Sequence, residues 1–351
     1  MGSYTLASKA LHHLALDNLI VKKVGFDIDC MLSRLWQVPV KTHKPVFIAG
    51  LARAGTTLLL EALYATGLFT TLTYRDMPFV TSPLIWGMLT SINRRKSDKQ
   101  ERAHGDGVFI NFDSPEAFEE VFWMTFAEDD FVKGHCLDLQ MVNERVVNNY
   151  RRFVDNIVGR GKGNASVRYL AKNNNNVLRI SSLKKAFPES VVLVPFRNPL
   201  DHAKSIWSQH QKFRNFHQED PFSLQYMNWL GHFEFGENFK PFHVSDEALP
   251  YYEDEPNSLD YWVRYWTCLY GYLIQNHAGD VVFFDYDRFC EEPDNTFEKL
   301  GEILLMDSAL LKQFSAKVKK GTANIALLEN QGLLPEGKRV YEGLRDLCLQ
   351  A

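Results

Sequence analysis

No two cysteines in this chain are spaced as a pair: Cys30, Cys136, Cys268, Cys290 and Cys348 are scattered and odd in number. A zinc ribbon or a disulfide framework needs pairs, so a reducing compartment, the cytoplasm, is expected. Also missing is the run of roughly 18 apolar residues that a membrane-spanning helix requires. The greasiest stretch, Phe79 to Ile92, is broken by Thr, Ser and Pro, and the first residues show no apolar leader. Charge of one sign is not in excess either: 39 basic and 43 acidic residues leave −4. Nucleic acid and anionic membranes are thereby excluded as main partners, and any anion site must be local. There is no internal repeat, and Asn173–Asn176 is the one low-complexity tract.

What is present is an ordinary globular balance, 45% hydrophobic and 23% charged, with 25 Phe, 14 Tyr and 7 Trp. At 351 residues the chain has room for two domains or one large α/β domain with insertions. Leu6, Leu11, Leu14, Leu19, Val24, Ile28, Leu32 and Leu35 predict one or two N-terminal helices. Pro45–Gly50, Val167–Ala171, Val191–Phe196 and Val281–Phe284 read as continuous apolar strands, each followed by a helical pattern. Such alternation implies a parallel sheet covered on both faces. The expectation is one α/β domain over 1–351, with a central sheet of about four or five strands. Residues 1–44 form a helical segment, and 76–160 and 213–256 are insertions placed to build an acceptor pocket. The aromatic helix Leu259–His277 is read mostly as core.

Gly50-Leu-Ala-Arg53-Ala54-Gly55-Thr56-Thr57 has a G-x-x-x-x-G skeleton between a strand and a helix. The amides of such a loop, with about half a positive charge at the helix start, cradle an anion. A nucleoside triphosphatase places Lys and then Ser/Thr after the second glycine. Here the Lys position is Thr56, and the nearby cation is Arg53. The strand Val191–Phe196 ends in Arg197, where an NTPase needs an acid to hold magnesium. A guanidinium there repels a metal and attracts phosphate, and Ser205, eight residues on and one to two turns into the next helix, is placed to face the same ligand. Taken singly, each has a plain reading, an Arg at a strand edge and a Ser against its own helix. Together they predict a ligand anionic at two separated points, and no metal.

Gly50–Leu58, with Leu59 following, resembles the 5′-phosphosulfate loop of the sulfotransferases that use 3′-phosphoadenosine-5′-phosphosulfate (PAPS). Arg197 to Ser205 resembles their 3′-phosphate motif. The likeness runs through 186–199 and 281–293, covering about 45–60 and 165–305 in all. It implies a P-loop nucleotide-kinase-like fold and sulfuryl transfer to a hydroxyl of a carbohydrate or small molecule, leaving 3′,5′-adenosine bisphosphate. On this resemblance Arg53, Ala54, Gly55, Thr56, Thr57 and Leu58 line the cofactor, Arg53 also stabilising charge on the bridging oxygen. Arg197 and Ser205 take the 3′-phosphate, and Lys320-Gly321 resembles the loop that folds over it. Ala54 replaces the usual Ser. Leu58 stands where the cytosolic branch has an adenine-stacking Trp, which suits the carbohydrate and tyrosylprotein branch better.

Lys172 falls where the family faces a lysine to the transferred sulfuryl. The cytosolic branch places its histidine base two residues later, and that position is Asn174, an amide that takes no proton near neutrality. The tyrosylprotein branch implies a carboxylate beyond the first helix, which makes Asp76 the first choice of base. His104, in a glycine-flanked loop, is the second, with Glu119 or Glu120 behind it. Two other readings stay open: a kinase with Asp285 or Asp287 on magnesium, and an inactive PAPS-binding relative suggested by Ala54.

Overall fold

The computed structural model describes residues 6–36, 43–92, 100–101, 109–160, 167–245, 256–318 and 335–349. Five parallel strands make the central sheet: β1 (Val46–Ile48), β2 (Phe69–Thr70), β3 (Arg168–Lys172), β4 (Val191–Phe196) and β5 (Val282–Asp285). Their order is β2-β3-β1-β4-β5. In β1, Ile48 pairs with Lys172 on one side and Leu193 on the other. The chain leaves β1 towards β2 on one side and later passes to β4 and β5 on the other. The crevice between the carboxyl ends of β1 and β4 is therefore the switch point where open α/β sheets bind ligands.

Both faces of β1 are buried, as its uninterrupted apolar sequence requires. Val46 and Ile48 pack with Leu59, Leu60 and Leu63 of α1 (Thr56–Ala65), while Phe47 points into the larger cluster with Tyr150 and Phe187. That cluster also takes in α2 (Glu120–Phe126), α3 (Pro199–Glu219), α4 (Pro221–Leu230) and α5 (Leu259–His277). Tyr261, Trp262, Tyr265, Trp266 and Tyr270 of α5 are all buried.

The architecture is the α/β class expected, with four of the strands within a residue or two of their predicted places. The fifth, β2, was not anticipated, since two residues carry no readable alternation. β3 begins and ends one residue late, so Lys172 is its last residue and not the first beyond it. α3 runs 21 residues to Glu219 and takes in the start of the second insertion. The two insertions are joined by a short parallel ladder, Leu137–Asp138 with Phe242–His243. At the N-terminus the helix Leu19–Leu35 exposes Ile20, Val24, Ile28, Met31 and Leu35.

Candidate active site

Between β1 and α1 the chain turns through two left-handed glycines, Gly50 at φ +138 and Gly55 at φ +80. A Cβ at Gly55 would strike the ring of Tyr286, so the residue types are set by both backbone and packing. Arg53 holds φ +73 without being glycine, at a cost of about 1–3 kcal/mol. The surroundings hold it there. Its carbonyl accepts from Arg197 Nη1 at 3.3 Å, and its Nε donates to Ser205 Oγ at 3.3 Å. Leu59 N is bonded to the Gly55 carbonyl at 3.0 Å, and the amides at the start of α1, ahead of it, have no acceptor within the helix.

His202, in the first turn of α3, fixes the loop from behind. Its Nε2 donates to the Ala52 carbonyl at 2.9 Å, and its Nδ1 accepts from Trp266 Nε1 at 3.1 Å. That pattern requires the neutral ring with its proton on Nε2. Burial pushes His202 down to about 3 against the bond to Ala52, and the Arg197 and Arg53 charges push the same way. Tyr270 OH donates to the Pro195 carbonyl at 2.7 Å, bracing β4 beside Gly50.

Arg197 follows β4 directly, and Asn198 caps α3 by accepting from the Leu200 and Asp201 amides. Asp287 aligns this turn. It accepts from Asn198 N at 2.5 Å and lies 3.5 Å from Arg197 Nε. The Arg197 guanidinium rests over the Tyr286 ring, 5.2 Å from its centroid. Tyr286 is thus shared by the Gly55 turn and the Arg197 turn, and burial raises its hydroxyl to about 12. Neither Tyr286 nor His202 was singled out from sequence, and Asp287 was considered only as a metal ligand. Asp285 accepts from the Asp287 and Arg288 amides as a helix cap.

On the other side of β1, the asparagine tract forms a buried polar hub. Asn173 N donates to the Ile48 carbonyl at 2.9 Å, holding the end of β3 against β1. The four side chains then fan outward. Asn173 Nδ2 reaches Glu120 Oε2 at 2.5 Å and Asn174 Nδ2 reaches Glu234 Oε1 at 2.8 Å. Asn175 Nδ2 donates to the Gly231 carbonyl at 3.1 Å and Asn176 Nδ2 to Glu119 Oε1 at 3.0 Å. What reads as low complexity is a set of four directed contacts. Lys172, itself buried, is near enough to the loop that follows α4 for its charge to act on Glu234 there. Glu234 in that loop is held at about 2: burial raises it, but His232 and then Lys172 outweigh that. His232 Nδ1 lies 3.5 Å from Glu234 Oε1. Sequence reasoning missed both residues, because Glu234 is marked only by its meeting with Asn174.

The carboxylates named from sequence are otherwise engaged. Asp76 is 1% exposed, accepts from Thr73 N at 2.7 Å in a capping box and pairs with Arg160 through Nη1 and Nη2. Glu119 accepts from Tyr150 and Tyr169 hydroxyls at 2.7 and 2.9 Å. Glu120 forms a two-pronged pair with Arg179 at 2.6 and 2.8 Å. Of the loop residues, Ala54 and Thr56 are buried, Thr57 is half-buried, and Leu58 packs at the margin of the α1 cluster. His104, Lys320 and Gly321 lie outside the described residues. Among the described residues, metal-ligand chemistry gathers at Cys136, Asp138 and His243, on the ladder joining the insertions. There His243 Nδ1 is 2.8 Å from Asp138 Oδ1.

Fold and loop together define an α/β protein with a strand–loop–helix turn at the switch point of its parallel sheet. The model of the sulfotransferase family matches residues 45–236, more than half of the chain, and the chain belongs to that family. The matched span includes both arginine turns, the asparagine hub and Glu234. The structure is similar to sulfotransferase STF1 of Mycobacterium tuberculosis H37Rv, at 15% identity and TM-score 0.50, over 94% of this chain and 84% of that one. STF9 of Mycobacterium avium aligns at 12% identity and TM-score 0.49, over 94% and 83%. The sulfotransferase domain of the curacin biosynthetic pathway aligns at 13% and 0.40, over 87% and 99%. At such identity the likeness is one of fold. No curated protein matches the sequence. Among the described residues no helix is long and apolar enough to cross a membrane.

Proposed function

We propose that this transferase moves the sulfuryl group of PAPS to a hydroxyl of a carbohydrate or small-molecule acceptor. The observation that carries the reading is the junction of the two arginine turns, where Arg53 reaches Ser205 and Arg197 reaches the Arg53 carbonyl. The donor set fits a carrier that is anionic at two points. Gly55, Thr56 and Thr57 offer amides and hydroxyls for the 5′-phosphate, backed by the α1 terminus. Arg197 and Ser205 serve the 3′-phosphate, the Arg197 guanidinium being held in place by Asp287, 3.5 Å from its Nε. Lys320 and Gly321 are proposed to close over the same phosphate.

PAPS supplies a sulfuryl group already joined to a good leaving phosphate. Arg53 stabilises charge on the bridging oxygen and Lys172 faces the transferred group. A sulfuryl group carries less charge than a phosphoryl group, so two guanidinium groups, a lysine and loop amides suffice to balance it. The kinase reading is disfavoured because Asp285 is committed to a helix cap and Asp287 to the Arg197 turn. Cysteines that form no disulfide among the described residues suit a reducing cytoplasm.

A thermal-shift measurement in chelator tests the reading. 3′,5′-Adenosine bisphosphate at a hundredfold over its Kd should stabilise the fold by about 2.7 kcal/mol. Stabilisation by ATP with magnesium, and not by the bisphosphate, overturns it.

A further inference from the structure

Resting on the sulfuryl-transfer reading, we infer that His232 is the general base that takes the acceptor proton, with Glu234 as its positioning residue. The argument starts from where the base must stand. Lys172 ends β3 beside Ile48, the last residue of β1 before the phosphate loop. A group that deprotonates the acceptor has to reach this edge of the sheet. Asn174, two residues beyond Lys172, takes up no proton itself, but its Nδ2 donates to Glu234 Oε1 at 2.8 Å and so draws the loop after α4 to this place.

That loop is built to stay. Gly231 ends α4 in the left-handed region at φ +68, and its carbonyl accepts from Asn175 Nδ2. A Cβ at Gly231 would press on Glu120 and Met124, so the turn lies directly on α2. Beyond it, Gly236 N donates to His210 Nδ1 and Glu237 N to His217 Nδ1, both at 3.3 Å and both on α3. The helix that carries His202 and Ser205 therefore also seats the loop that carries His232. One rigid element serves phosphate grip and base alike.

Within the loop the division of labour follows from chemistry. The Glu234 carboxylate receives Asn174, faces Lys172 and stays ionised, so it is a poor proton acceptor near neutrality. His232 is half-buried, its side chain 15% exposed, and its Nδ1 sits 3.5 Å from that carboxylate, the long end of a hydrogen bond of the kind that tightens once substrate binds. With Nδ1–H turned to Glu234, Nε2 is the basic atom. In the transfer, the acceptor O–H bond breaks and its proton goes to Nε2 as the new oxygen–sulfur bond forms. The sulfur–phosphate oxygen bond breaks, and its electron pair stays on the departing phosphate. Asp76, bound to Arg160 and Thr73, and Glu119 and Glu120, each filled by several donors, have no such free basic atom. Of the charged groups here, Glu234 lies beside His232 in its own loop, Lys172 at the end of β3 acts on Glu234, and Glu120 of α2, paired with Arg179 from the segment after β3, lies against the neighbouring Gly231.

The test uses radiolabelled PAPS with water as acceptor, alongside calorimetry with 3′,5′-adenosine bisphosphate. His232→Ala should bind the bisphosphate within about twofold of wild type. It should release sulfate at least a hundredfold more slowly, with added imidazole restoring part of the rate. Glu234→Gln, which keeps an acceptor for Asn174, should slow sulfate release about tenfold while binding the bisphosphate within about twofold of wild type, and Glu234→Asp should restore part of the rate. The inference is overturned if wild type releases no sulfate, or if either His232→Ala or Glu234→Gln releases it as fast as wild type. Loss of bisphosphate binding by the wild type itself would instead overturn the sulfuryl-transfer reading.

Discussion

Ser205 accepts a hydrogen bond from Arg53 Nε across 3.3 Å, joining segments 152 positions apart in the chain. One lies after β1 and the other on the helix after β4, so the contact spans the switch point of the sheet. Ser205→Ala should remove a bond to a charged group, about 1.5 kcal/mol, and weaken 3′,5′-adenosine bisphosphate roughly tenfold. Calorimetry on the variant measures this; an unchanged Kd removes Ser205 from the phosphate site.

The Glu120–Arg179 pair is fully buried, and Asn173 joins it from the hub. Glu120→Gln leaves a guanidinium in the core with a neutral partner and should cost about 3–5 kcal/mol. Replacing both, as Glu120→Leu with Arg179→Met, should recover most of that loss. Urea denaturation of the two variants decides it, the double variant being the more stable.

His202 makes the stability of the fold depend on pH. Folded, it stays neutral down to about 3 because of burial, whereas the unfolded chain takes up the proton near the ordinary 6.5. The stabilisation is complete above pH 6.5 and is lost as pH falls towards 3, since there the unfolded state binds more protons. At pH 5 the loss from this residue is about 2 kcal/mol. His210, pushed down to about 4 by burial and Arg214, adds in the same direction. Denaturation midpoints at pH 7 and pH 5 should fall accordingly, and His202→Phe should shrink the pH dependence while lowering stability at pH 7.

Asp76→Asn separates structure from chemistry. The change weakens the buried pair with Arg160 and the Thr73 cap, so the melting temperature should drop by several degrees. The folded fraction should still release sulfate from labelled PAPS at the wild-type rate. A hundredfold loss of rate with normal bisphosphate binding would return Asp76 to the base position.

The sequence made some of this legible because the relevant physics is local. Val191–Phe196 is apolar at every position, as a strand buried on both faces must be, and Gly50 and Gly55 mark a turn that needs left-handed backbone. Arg197 could be placed because it follows such a strand at once. His232 and Glu234 could not: nothing in their neighbours distinguishes a surface loop from one seated on α3 by two histidines. Asp76 shows the reverse case. Its spacing from the loop invited a chemical role, and only the arrival of Arg160 from 84 positions away shows its carboxylate to be engaged. Tyr286 was hidden because its importance lies in a ring face shared by two distant turns.

The central claim, that two arginine-bearing turns hold one doubly phosphorylated carrier, is tested most directly by calorimetry of 3′,5′-adenosine bisphosphate in chelator, for wild type and Arg197→Ala. Wild type should bind one equivalent without metal, and loss of a charge-assisted bond of roughly 1.5–3 kcal/mol should weaken the variant about ten- to a hundredfold. Equal affinity of the two proteins would contradict the account.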